Sequence, residues 1–64
     1  MNIVINSSTI ISADYAEETE TLIIRFRNGR DYIYYNVPKY VFEEFINSPS
    51  KGQYFNLHIK GRYQ

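Results

Sequence analysis

Apolar and polar positions alternate with period two through the first half of the chain and recur at helical spacing through the second. Ile3 and Ile5 open the pattern, and residues 1–7 read either as a strand or as a loosely held arm. From Ser8 to Tyr15, Ile10, Ser12 and Asp14 alternate with Ile11, Ala13 and Tyr15, as in a half-buried strand. Ala16 to Glu20 is polar and charged and reads as a turn. Leu22, Ile24 and Phe26 then share one face, with Thr21, Ile23, Arg25 and Arg27 on the other. Asn28-Gly29 follows directly and predicts a two-residue type I′ hairpin. The returning strand sets Tyr32 and Tyr34 on one face and Ile33 and Tyr35 on the other.

Asn36-Val37-Pro38 ends the sheet, with Pro38 suited to the first turn of a helix over residues 38–47. Within it Val41, Phe42, Phe45 and Ile46 form one apolar stripe, and Glu43 and Glu44 lie off it. Asn47-Ser48-Pro49 breaks the helix, because the residue before proline is driven from the α region. Ser50-Lys51-Gly52-Gln53 has the form of a capping box and starts a second helix, about Lys51 to Ile59, ending near Gly61. Phe55 and Ile59 are its core line. Lys51, Tyr54, His58 and, if the helix runs on, Arg62 flank that line. The fold expected is one α+β domain over residues 1–64: an antiparallel three-stranded β-meander followed by two short helices packed on one face.

Charge changes this picture locally. The chain has 64 residues and formal net charge zero, yet its four acids before Arg25 (Asp14, Glu17, Glu18, Glu20) lie in a stretch with no Lys or Arg. Ser50 to Gln64 carries Lys51, His58, Lys60 and Arg62, with Tyr54, Phe55 and Tyr63 among them, and no acid. Charge sorted this way suggests a surface for an anion. Phosphate backbones call for Lys or Arg, and unpaired bases call for aromatic faces to stack on. Lys51, Tyr54, His58, Lys60, Arg62 and Tyr63 supply both, and Arg25, Arg27 and Arg30 could extend the surface. Asn56, in the middle of a short helix, reads as held by a structural hydrogen bond, given the propensity of Asn to leave helices.

The chemistry excluded is as informative. There is no Cys, so neither a disulfide framework nor a thiolate metal site exists. His58 is the single His, which removes Cys–His pairs and two-His metal sites within one chain. Glu17/Glu18 and Glu43/Glu44 read as solvated charge. No catalytic role, metal or cofactor is expected. No apolar run approaches the roughly 20 residues of a membrane span, and no secretory leader is visible, so a soluble cytoplasmic protein is expected.

Tyr32-Ile33-Tyr34-Tyr35, Asn36-Val37-Pro38, Ser48-Pro49-Ser50-Lys51-Gly52, Phe55-Asn56, His58-Ile59 and Gly61-Arg62-Tyr63 together resemble the KTSC domain family over about residues 7–63. That family takes its name from the C-terminus of some lysyl-tRNA synthetases and also occurs as free-standing bacterial and phage proteins. The resemblance implies a binding module with RNA or single-stranded nucleic acid as partner. The alternatives are a small anionic nucleotide held in a pocket, in a sequestering protein, and a protein–protein contact. Eleven aromatic rings are more than so small a core can enclose, and a short sheet has open edges. Both features suit a homodimer or higher homo-oligomer.

Overall fold

The computed structural model describes residues 1–63. Four strands form one antiparallel sheet in the order β1 (Asn2–Val4), β2 (Ile10–Ala16), β3 (Thr21–Phe26) and β4 (Asp31–Tyr34). Helix α1 (Lys39–Asn47) follows, then α2 (Lys51–Tyr54), which runs without a break into a π-helical segment, Phe55–Ile59. The three-stranded meander is therefore corrected to a four-stranded one. The segment left open between strand and arm is a strand, with Ile3 opposite Ala13. Pairing there gives the free edge of β2 a partner and brings Ile3 and the buried Ile5 onto the core.

The core lies between one face of the sheet and the helices. Ala13 and Tyr15 of β2, Leu22, Ile24 and Phe26 of β3, and Tyr34 of β4 meet Val41, Phe42 and Phe45 of α1 and Phe55 and Ile59 of the π segment. The stripe read from helical spacing is thus the buried face of α1. Tyr15 lies at its centre. Its ring stacks on Phe42 at 4.6 Å, and its hydroxyl donates to the Val37 carbonyl at 2.6 Å, so a phenol is enclosed without an unsatisfied oxygen.

Strict alternation fails in β2. Ile10 pairs with Phe26 but Ser12 pairs with Arg25, so Ile11 is the extra residue of a bulge. The bulge turns Ile10 to the same side as Ala13 and Tyr15, and all three are buried. The β3–β4 hairpin also differs from expectation. Phe26 N–H donates to the Arg30 carbonyl at 2.9 Å and Gly29 N–H to the Phe26 carbonyl at 3.1 Å, while Gly29 alone takes a positive φ, +89°. This is a three-residue loop whose left-handed glycine forms a bulge, not a two-residue type I′ turn. A Cβ at Gly29 would meet nothing within 4 Å, so the demand is purely conformational. Gly29→Ala is expected to cost about 1 kcal/mol in chemical denaturation, and Gly29→Asn clearly less, because Asn tolerates the left-handed region. Equal midpoints for the two variants would refute this account.

Ser50 is the N-cap of α2, but its side chain makes no capping bond; the capping box does not form. Instead, Ser48 Oγ accepts from Ser50 N–H at 3.2 Å and holds the turn across Pro49. Pro38 is the N-cap of α1 rather than its first helical residue.

Candidate functional site

A cleft of about 700 Å³ opens where the β1–β2 connection, the tip of the β3–β4 hairpin and the α2/π helix converge. Its floor is aromatic. Phe26 lies 5.2 Å edge-on from Phe55 and 5.3 Å from Tyr32, and Tyr34 lies 5.8 Å edge-on from Phe55. Phe26, Tyr34 and Phe55 are buried, but Tyr32 remains 42% exposed and presents its ring to solvent. One wall is Asn6 to Thr9, the other runs from Pro49 to Lys60. The first wall is braced: Ser7 Oγ accepts from Thr9 N–H at 3.2 Å, and Arg27 Nε donates to the Ser7 carbonyl at 2.6 Å.

The second wall depends on the π segment. Lys60 N–H donates to the Phe55 carbonyl at 2.8 Å, a bond spanning five residues. In a regular α-helix Lys60 would sit about 140° around the axis from Phe55. The wider π turn brings it back over Phe55 and so beside the cleft. The chain then leaves through a turn closed by Arg62 N–H on the Ile59 carbonyl at 3.1 Å, with Gly61 at φ +84°.

Lys51 and Lys60 line this cleft, and none of its lining residues is acidic. Lys51 Nζ donates to the Ser48 carbonyl at 3.0 Å, which leaves two of its three donors. Among the described residues, Lys60 has no ion pair and the side-chain amides of Asn6, Gln53 and Asn56 make no hydrogen bond. The structural bond expected for Asn56 is absent; its exposed side chain belongs to the cleft. The acidic turn Glu17–Glu20 is at the far end of β2, about 20 Å away along the strand. That is more than twice the screening length at physiological salt, so the cleft's positive potential is not cancelled from there.

The other residues read from the sequence lie elsewhere. The rings of Tyr54 and His58 meet at 4.6 Å, tilted by 36°, and Tyr54 donates its hydroxyl to Glu44 Oε1 of α1 at 2.8 Å. Tyr63 is half-buried against the core and Arg62 is exposed. Arg25 forms a two-pronged pair with Asp31, 3.1 and 3.3 Å, which raises its already high pKa. Arg27 holds the cleft wall from behind, and Arg30 is exposed beside the hairpin tip. The proposed basic-aromatic stripe is therefore divided. Lys51 and Lys60 face an acid-free cleft, while Tyr54 and His58 share a surface with a carboxylate.

Burial and the Glu44 hydrogen bond push the Tyr54 phenol from 10 up to about 12. The unfolded chain loses this proton first as pH rises. Its stabilising contribution is thus complete below pH 10, declines through the window to about 12, and is gone above it. Burial raises Tyr15 and Tyr34 in the same direction. Stability against urea should therefore fall progressively above pH 10, and less steeply in Tyr54→Phe. An identical slope in the variant would remove Tyr54 from this account.

The fold and cleft define a small domain in which a helix pair and a hairpin hold a ligand-sized space over one end of a meander sheet. The sequence pattern of the KTSC domain matches residues 6–63, and this chain belongs to the KTSC domain family. Lysine–tRNA ligase of Nostoc punctiforme is 46% identical over 57 residues, which cover 89% of this chain and 10% of the ligase. The chain thus spans about a tenth of the length of that enzyme. A protein of Tsukamurella paurometabola is 35% identical over 94% of this chain and 90% of its own length. The crystal structure of a KTSC domain protein from Yersinia pestis superposes with a TM-score of 0.95 at 33% identity, covering all of this chain and 90% of the other. Among the described residues, no helix is long and apolar enough to cross a membrane.

Proposed function

We propose that this KTSC domain is a non-catalytic module that binds single-stranded RNA, receiving one or two nucleotides in the cleft. The observation that carries this reading is the acid-free lining, which joins Lys51 and Lys60 to the solvent-open ring of Tyr32. A splayed nucleotide needs a cation for its phosphate and a flat apolar surface for its base. The amides of Asn6, Gln53 and Asn56 offer donors and acceptors for a base edge. A volume of about 700 Å³ suits a ligand of this size. The lysine–tRNA ligases that carry a similar segment act, by their name, on an RNA, which supports the same partner class here.

A free nucleotide is the second reading, favoured by the closure of the cleft on two sides by the Asn6–Thr9 and Pro49–Lys60 walls. A chemical-shift titration of isotope-labelled protein with short single-stranded RNA, then with separate nucleotides, distinguishes the two. RNA binding should move the amides of residues 6–9, 32 and 51–60. Two phosphate contacts predict a salt slope of about −1.4, a roughly sevenfold loss of affinity for a fourfold rise in salt. Shifts with one nucleotide and none with RNA would replace the first reading by the second. No shift with either would overturn both.

A further inference from the structure

The outer edge of the sheet, along β4, is unpaired. The bond from Phe26 N–H to the Arg30 carbonyl and that from Val37 N–H to the Glu20 carbonyl flank the β3–β4 ladder. With the observed register they fix its alternation: Tyr32 and Tyr34 direct their backbone groups at β3, and Asp31, Ile33 and Tyr35 direct theirs outward. This free edge is short, four residues in β4, but it lacks the other usual guards. β4 contains no Lys, no Pro and no bulge, and its one acid, Asp31, is neutralised by Arg25. The side chains beside the edge are apolar instead, with Ile33 47% and Tyr35 54% exposed on the sheet face away from the helices, next to half-buried Ile23.

We infer that two copies of this chain join through β4, antiparallel, with Ile33 of one copy opposite Ile33 of the other. This register closes the most ladder pairs, because Asp31 of each copy then also meets Tyr35 of the other. Centring on Asp31 would set two carboxylates face to face. It also extends an apolar row, Ile23–Ile33, across the seam into its symmetry mate. The opposite edge is a poorer template, since β1 is three residues long and turns only Asn2 and Val4 outward.

The two-fold axis of such a pairing is normal to the sheet, so both clefts open on the same face, side by side. Tyr32 of one copy then lies opposite Tyr34 of the other, and one aromatic floor crosses the seam. The join itself does not depend on what the clefts bind. The further consequence, that an RNA strand of several nucleotides spans both clefts, rests on the RNA reading above.

Sedimentation velocity over a concentration series tests the join. An interface of one edge strand is small, so the mass should rise with concentration from that of the 7.6 kDa chain toward twice that value, reached by about 0.5 mM. Ile33→Pro removes an N–H that makes no bond within the chain, and it should remain at the single-chain mass. A wild-type mass fixed at one chain overturns the inference. So does a folded Ile33→Pro variant that still dimerises. The RNA consequence is read separately: an octanucleotide should bind wild type more tightly than Ile33→Pro, and a dinucleotide should bind both alike. A dimer that binds no RNA would retain the join and remove only that consequence.

Discussion

Charge reversal at Lys60 is expected to weaken RNA binding about thirtyfold while leaving the unfolding transition where it is. Lys60 is exposed and has no intrachain ion pair among the described residues, so no folded-state contact is lost with it. The π turn holds it beside the cleft. Replacing an attraction to phosphate by a repulsion, at a partly solvated contact of about 4 Å, is worth about 2 kcal/mol after screening. Lys60→Gln should give roughly half that effect in free energy. Arg62→Glu, just beyond the turn and outside the cleft lining, is the contrast and should change affinity less than about threefold. Fluorescence anisotropy with a labelled single strand at two salt concentrations reads all three. Equal losses at Lys60 and Arg62 would mean that the tail as a whole attracts the anion and that the cleft is not the site. Lys51 is a poorer choice for this experiment, because its bond to the Ser48 carbonyl ties it to the start of α2.

Phe42→Ala should abolish the fold at room temperature. Phe42 is fully enclosed and stacks on Tyr15, which is itself enclosed and bonded to Val37. Truncating a buried Phe costs about 3–5 kcal/mol, through lost transfer energy and the cavity left behind. A single core in a domain of this size rarely provides more than about 3–5 kcal/mol in total. The loss is therefore comparable with the whole stability. Loss of dispersion in an amide correlation spectrum is the readout. Tyr40→Ala, on the same helix but 63% exposed, should stay within about 0.5 kcal/mol of the parent. A cooperative Phe42→Ala transition within about 1 kcal/mol of wild type would mean that the Tyr15–Phe42 stack is not the centre of the core.

Local signals carried much of the fold, and their failures have physical causes. The stripe Val41, Phe42, Phe45, Ile46 and the faces of β3 and β4 follow from periodicity, because burial on one side imposes it. Period-two counting puts Ile10 on the wrong face because a bulge adds one residue to the count, and a count cannot reveal its own insertion. Asn28-Gly29 identified the hairpin but not its loop, since the same dipeptide also suits a type I turn with a left-handed glycine. Ser50 and Gln53 have capping-box spacing, yet Ser48 already bonds the Ser50 N–H that a capping Gln would need.

The candidate site was legible only in part. Lys51 and Lys60 stood out as cations in an acid-free run, and Tyr32 stood in the aromatic strand. Asn56 gives a signal that points to a structural bond it does not make, a polar side chain at a helical position that does not favour it. Asn6 and Thr9 gave none. A fixed 100° per residue puts Lys60 on the far side of the helix from Phe55, and only the π turn overrules that projection.

The sequence by itself determined the order of the elements from β2 onward, the buried faces of β3 and α1 and the sign of the charge near the end of the chain, because these depend on neighbours within a few positions. The tertiary structure decided which cations face one space. The cleft draws its lining from within residues 6–10, 26–28, 32–34 and 49–60, and distances between segments so far apart are fixed by how the sheet and helices pack. It also separated Tyr54 and His58 from Lys60, although they are near neighbours in the chain. A helix presents different flanks to different surroundings, and here one flank meets the carboxylate of Glu44 and the other meets solvent over Tyr32.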